Sequence, residues 1–180
     1  MRMNLEKQVL ENAIGFKEWD VICSAIASGR QDLIFRKGGI HEGREGFSFK
    51  HDSFFLFPTL FHAQADYVTE GKKPAKPEWQ LGDEIVIEYF CKVSSALTLT
   101  DWEKVTELKN RHIWTEETIK DRFYWEGKGM PTGSIHVAFL KTYQLVEPWK
   151  ITYEKKYAGC RSWITLPEPP ANWEENLTVI

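Results

Sequence analysis

Apolar residues recur along the chain with two periods, and the switches between them mark out its elements. From Leu5 to Ser28 the spacing is helical. Leu5, Val9, Leu10 and Ala13 come first, then Phe16, Trp19, Ile22, Cys23 and Ile26, with Lys17, Glu18 and Asp20 on the other side. This predicts a helix in two pieces, broken at Gly15 and closed by Gly29 in the C′ position. The stretch DLIFR at 32–36 is short, β-branched and aromatic, and predicts a strand that Lys37-Gly38-Gly39 breaks. After a glycine-rich loop, the nearly continuous apolar run SFFLFPTLF at 53–61 predicts a buried strand. That strand either ends at Pro58 or leads into a short helix bearing Leu60, Phe61 and Gln64.

The second half repeats the contrast. EIVIEYFCKV at 84–93 alternates like a strand, and DWEKVTELKN at 101–110 reads as a helix capped by Thr100 or Asp101. TEETIKDRFYW at 115–125 opens like another helix, with Glu and Thr crowding its first turn. SIHVAFLKTYQLV predicts a long strand stopped by Pro148, and RSWITL a last strand. These elements do not alternate regularly as βαβ units. They indicate an α+β fold with a strongly curved or closed, mostly antiparallel sheet. Residues 1–166 read as one α+β domain with a hinge loop at 70–78, where lysines and prolines replace apolar residues; 167–180 read as a Pro-rich tail.

Composition narrows the function classes. A net charge of −3 removes the argument for nucleic-acid binding from a strongly basic chain, and leaves room only for a local basic patch. Cys23, Cys91 and Cys160 are too far apart for a zinc ribbon or a disulfide framework, and are expected as small buried hydrophobes in a reducing compartment. The N-terminus shows no leader pattern and no stretch is apolar enough to span a bilayer, so a cytoplasmic protein without a membrane partner is expected.

Candidate chemistry concentrates between Gly29 and Gln64, which holds three of the five histidines among glycines, basic residues and phenylalanines. Lys37-Gly38-Gly39 fits neither GxxxxGK[ST] nor GxGxxG, so it is either a plain glycine turn or a backbone-lined anion or base site charged by Arg36 and Lys37. His41, Glu42, His51 and His62 are suitable ligand types for zinc or iron. Their spacings of ten and eleven residues match no compact motif, so no metal or cofactor is assigned. Asp83, Glu84, Glu88 and Lys92 lie along one predicted strand without the ExK spacing of a restriction-type nuclease core, and no GxSxG element is present. A second cluster places aromatics beside arginine, in His112 to Thr115, Arg122 to Trp125 and Tyr157 to Trp163. It suits base stacking as well as core packing.

Four separated motifs carry a resemblance over nearly the whole chain: WDVICSAIASGRQDLIFRKGGIHE, FKHDSFFLFPTLFHAQ, HIWTEETIKDRF and YAGCRSWITL. Together they look like a bacterial family described only as a domain of unknown function. Some members are joined to Mrr-type restriction-endonuclease domains, which implies a role in restriction or another nucleic-acid defence, with a nuclease as candidate partner. The chain also resembles the PUA-like group that includes ASCH and EVE domains. Against the ASCH signature GxKxxExR, Gly29 and Arg36 match, while Gln31 stands in place of Lys and Ile34 in place of Glu. GDEIVIEYFCKV and the strand ending QLVEP resemble further barrel elements of that group.

This resemblance implies a small, PUA-like, mostly antiparallel β-barrel with packed helices, and a cleft for a nucleotide base beside the first helix and strand. The expected function is recognition of nucleic acid or a nucleotide. Arg36 and Lys37 would meet phosphate, and Gly38 and Gly39 would let the backbone approach. His41, Glu42, His51 and Gln64 would line the ligand, with His41, His51 and Gln64 reading a base edge, and Trp114, Arg122 or Trp125 would supply a stack. A metal-dependent hydrolase or nucleotide-processing enzyme and a non-catalytic docking subunit are the alternatives.

Overall fold

The computed structural model describes residues 13–37, 48–74, 76–124, 133–175 and 177–180. Seven strands form one sheet, in the order β2-β5-β4-β3-β1-β6 with β7 beside β5. These are β1 (Ile14–Trp19), β2 (Leu33–Lys37), β3 (Ser53–Thr59), β4 (Glu84–Leu99), β5 (Ile135–Thr152), β6 (Trp163–Thr165) and β7 (Thr178–Val179). All the ladders are antiparallel except that of β1 and β3, which runs parallel from Gly15 against Phe55 to Trp19 against Thr59. Helices α1 (Asp20–Ala27), α2 (Trp102–Thr106) and α3 (Glu116–Phe123) complete a mixed α+β fold.

The apolar run in β3 is explained by burial on both faces. Phe54 and Leu56 join the core that contains α1, while Phe55 and Phe57 join a second core with Ile85, Ile87 and Trp149. Successive strand residues point to opposite faces, so a strand covered on both sides needs no polar alternation. Burying side chains of this size contributes about 1.5–3 kcal/mol each. In the first core, Val21, Ile22, Ala25 and Ile26 of α1 pack with Phe16, Leu33, Phe35, Ile135 and Val137. The C-terminal stretch returns to the second core, where Trp173 packs on Phe55 and Phe90 at ring-centroid distances of 4.7 Å.

Three expectations require correction. Residues 14–19 form strand β1 rather than helix. Gly15 lies so close to the next strand that an added Cβ would meet Ile164 Cγ1 at 2.9 Å, an approach that favours glycine at the β1–β6 ladder. The helix begins only at Asp20. Its buried first-turn amide at Val21, which has no partner within the helix, donates to Gln64 Oε1 at 3.0 Å, a cap supplied from 43 residues away, and the helix ends at Ser28 and Gly29 with φ +70°. Second, β5 runs through Pro148. Between the pairs Tyr89–Gln144 and Ile87–Trp149 the ladder shifts register, so Pro148 occupies an irregularity where its missing N–H breaks no ladder bond. Third, among the described residues the sheet does not close into a barrel by strand pairing. It is joined across the gap by side chains, as described next.

Candidate functional site

A cavity of about 640 Å³ opens beyond the carboxyl ends of β1, β2 and β3. The parallel pairing of β1 with β3 brings Trp19 level with Thr59, so the last residues of both strands face one space. Lys17, Glu18 and Trp19 come from β1, Arg36 and Lys37 from β2, and Arg122 from α3. The turn from Tyr157 to Ser162 and the loop at Glu78 and Trp79 complete the wall.

Arg36 organises the floor. Its Nη1 donates to Glu18 Oε2 at 2.7 Å, its Nη2 to the Lys17 carbonyl at 2.7 Å, and its Nε to Ser162 Oγ at 3.4 Å. The guanidinium also lies 4.4 Å from the centre of the Phe16 ring. Glu18 Oε1 accepts the Trp19 amide at 2.8 Å, so both oxygens of this 4% exposed carboxylate are engaged. Buried charges of opposite sign are stable only when paired and hydrogen-bonded in this way. Lys17 Nζ donates to the carbonyls of Tyr157 and Gly159 and holds the 157–159 turn against β1.

Arg122 is held differently. Its guanidinium lies 3.8 Å from the Trp114 ring centre and 5.4 Å from that of Trp19, whose own centroids are 5.0 Å apart. It has no hydrogen-bond acceptor among the described residues. Burial lowers its pKa to about 10; Glu18 opposes the shift and Arg36 adds to it. Lys37 is also shifted down, first by burial and then by the Arg122 charge, with Asp121 opposing. The wall thus gathers Lys17, Arg36, Lys37, Arg122 and Arg161 against Glu18 and Glu78, in a chain whose net charge is −3. Such an arrangement attracts an anion, and the arginine forks can bind one bidentately.

Of the residues singled out by sequence, the cavity unites Arg36, Lys37 and Arg122. Trp114 is 2% exposed and lies under Arg122, so it supports the cation from below. Gln64 is fully buried and engaged with the Val21 amide and the Phe61 carbonyl. His51 lies apart from this cavity, with its ring 4.9 Å from that of Trp163 beside a smaller pocket, and His62 sits against Phe61. Gly38, Gly39, His41, Glu42 and Trp125 fall outside the described residues.

Both departures from the ASCH signature have structural roles. Gln31 bonds the Leu33 carbonyl and the Ile113 amide, and Ile34 is fully buried. Of the cysteines, Cys23 and Cys91 are buried as expected, and burial pushes the Cys91 thiol to about 12. Cys160 is instead exposed in the cavity wall. Sequence reasoning missed Lys17, Glu18 and Trp19 as site residues, because the helical spacing around them hid the strand.

Among solved structures, the chain is similar to the ASCH protein of Zymomonas mobilis at 13% identity, over 87% of this chain and 89% of that one, with a TM-score of 0.50. A point variant of that protein matches at 13% identity over 88% and 92% of the two chains, also with a TM-score of 0.50. At this identity the likeness is one of fold. No curated protein matches the chain significantly. The family model described as Domain of unknown function (DUF1802) matches residues 15–179, nearly the whole length, and the chain belongs to that family.

Proposed function

We propose that the cavity binds the phosphate of a nucleotide or nucleic acid, which makes the chain a nucleic-acid- or nucleotide-recognition domain. The observation that carries this reading is Arg122, a half-buried guanidinium lying over two indole rings with no acceptor among the described residues. A half-buried cation with no hydrogen-bonded acceptor is under-satisfied, and an anionic ligand supplies that acceptor. Lys37 and Arg161 stand in the same wall, so a phosphate there meets several donors at once. Trp19, Trp79 and Tyr153 offer ring surface in the same cavity for the attached base. A volume of about 640 Å³ is of the size that small-molecule sites use, and it admits a single nucleotide rather than a duplex. The setting we propose is restriction or defence, as the resemblance carried by the four sequence motifs implies.

The test is titration of nucleoside monophosphates and short single strands by calorimetry across salt. Affinity should fall linearly with the logarithm of salt concentration, because bound phosphate releases counterions. Absence of binding, or binding without salt dependence, contradicts the proposal.

A further inference from the structure

Arg161 lines two pockets at once. The large cavity has it on one side, and on the other is a pocket of about 290 Å³ walled by His51, Lys156, Trp163 and the edge strand β6. Its side chain is exposed and has no hydrogen-bond or ion-pair partner among the described residues. The second pocket has the same chemistry as the first. The indole of Trp163 is set by its Nε1 donating to the Ser48 carbonyl at 3.2 Å, and the His51 ring stands edge-on to it at 4.9 Å. Lys156 adds a cation, which the exposed Glu154 accompanies at 2.8 Å.

Two adjoining pockets, each combining aromatic surface with basic residues, share one arginine and so offer neighbouring places for two linked units. We propose that the protein binds a single-stranded oligonucleotide across both pockets. One nucleotide occupies the Arg122 cavity, its neighbour lies against His51 and Trp163, and Arg161 takes the phosphate between them. Single-stranded nucleic acid fits because its bases are free to stack on side chains and its backbone follows a basic track. A free mononucleotide fills only the first pocket. The inference rests on the phosphate reading of the first cavity and extends it from a nucleotide to a strand.

The test uses the full chain and calorimetry with the four nucleoside 5′-monophosphates and mixed-sequence 5′-phosphorylated oligonucleotides of two to four residues, as DNA and as RNA. Dinucleotides should bind at least tenfold more tightly than monophosphates, and their salt dependence should steepen by about 0.7 per added phosphate contact. Lys156→Ala and His51→Ala should abolish the gain while leaving monophosphate affinity within twofold; Arg161→Ala should weaken dinucleotides most. Monophosphates and oligonucleotides of equal affinity would overturn the two-pocket inference and leave the single-cavity reading standing. So would a dinucleotide gain that survives both Lys156→Ala and His51→Ala in folded protein. Failure of every nucleotide and oligonucleotide to bind would overturn both.

Discussion

Arg36 and Glu18 meet at 2.7 Å across two strands that share no ladder among the described residues. Arg36 lies on β2, at one edge of the sheet, and Glu18 on β1, one strand in from the other edge. The pair therefore fastens a curled sheet that hydrogen-bonded strands leave open, and the fastening forms the floor of the basic cavity. Fold and candidate site meet in one ion pair.

Removing one partner from this pair should be severe. Glu18→Ala leaves Arg36 enclosed without its counterion and brings Arg122 closer to uncompensated positive charge, so about 3–5 kcal/mol of stability should be lost. Urea denaturation measures it. Glu18→Gln keeps an acceptor for Arg36 and should lose less.

Gln64 should prove structural. Gln64→Ala removes the cap on the Val21 amide and empties a fully buried site, and should cost about 1–3 kcal/mol in a urea melt. Nucleotide affinity of the folded variant should stay within twofold, since Gln64 does not line the cavity.

His112 should make the fold sensitive to acid. Its ring packs edge-on against Phe35 at 5.1 Å, and burial draws its pKa down to about 4 from 6.5, with the Trp114 backbone opposing. The unfolded chain takes up this proton below about pH 6.5, whereas the folded chain does so only near pH 4. Stability from the neutral ring is thus present above pH 6.5 and is lost as pH falls through that window. The partly exposed ring should account for about 1–2 kcal/mol of the loss. His136, also shifted down by burial, adds in the same direction. Urea melts at pH 4.5 and 7 should differ less in His112→Gln than in the parent.

What the sequence revealed follows the range of the interactions involved. Strand β3 and the caps of α2 and α3 were readable because their causes are local. Four apolar residues bury on two faces, and Asp101 and Thr115 cap within three residues of themselves. Strand β1 was unreadable because its causes are distant. Glu18 counts as a polar helix face until Arg36 arrives eighteen positions later to neutralise it, and Gly15 breaks a pattern until β6 lies beside it. Pro148 looked like a stop because only the register shift against β4 shows that its missing N–H is tolerated. In the site, Arg36, Lys37 and Arg122 were legible as exceptional cations among aromatics. Arg161 fell within the aromatic–basic cluster from Tyr157 to Trp163, whereas Lys17 was not legible, since only the fold turns an ordinary basic residue toward a shared cavity.

The central claim is that Arg122 is kept charged and half-buried for a ligand rather than for stability. Arg122→Met replaces the guanidinium over Trp114 with an apolar chain that fills the same place. Because it removes a half-buried charge that has no hydrogen-bonded partner among the described residues, the variant should be as stable as the parent or more so. Calorimetric titration of parent and Arg122→Met with nucleoside 5′-monophosphates, beside their thermal melts, tests this directly. The account predicts affinity at least tenfold weaker, consistent with loss of a charge-assisted bond of about 1.5–3 kcal/mol, in a variant that melts no lower. Unchanged affinity in a folded Arg122→Met variant would contradict it.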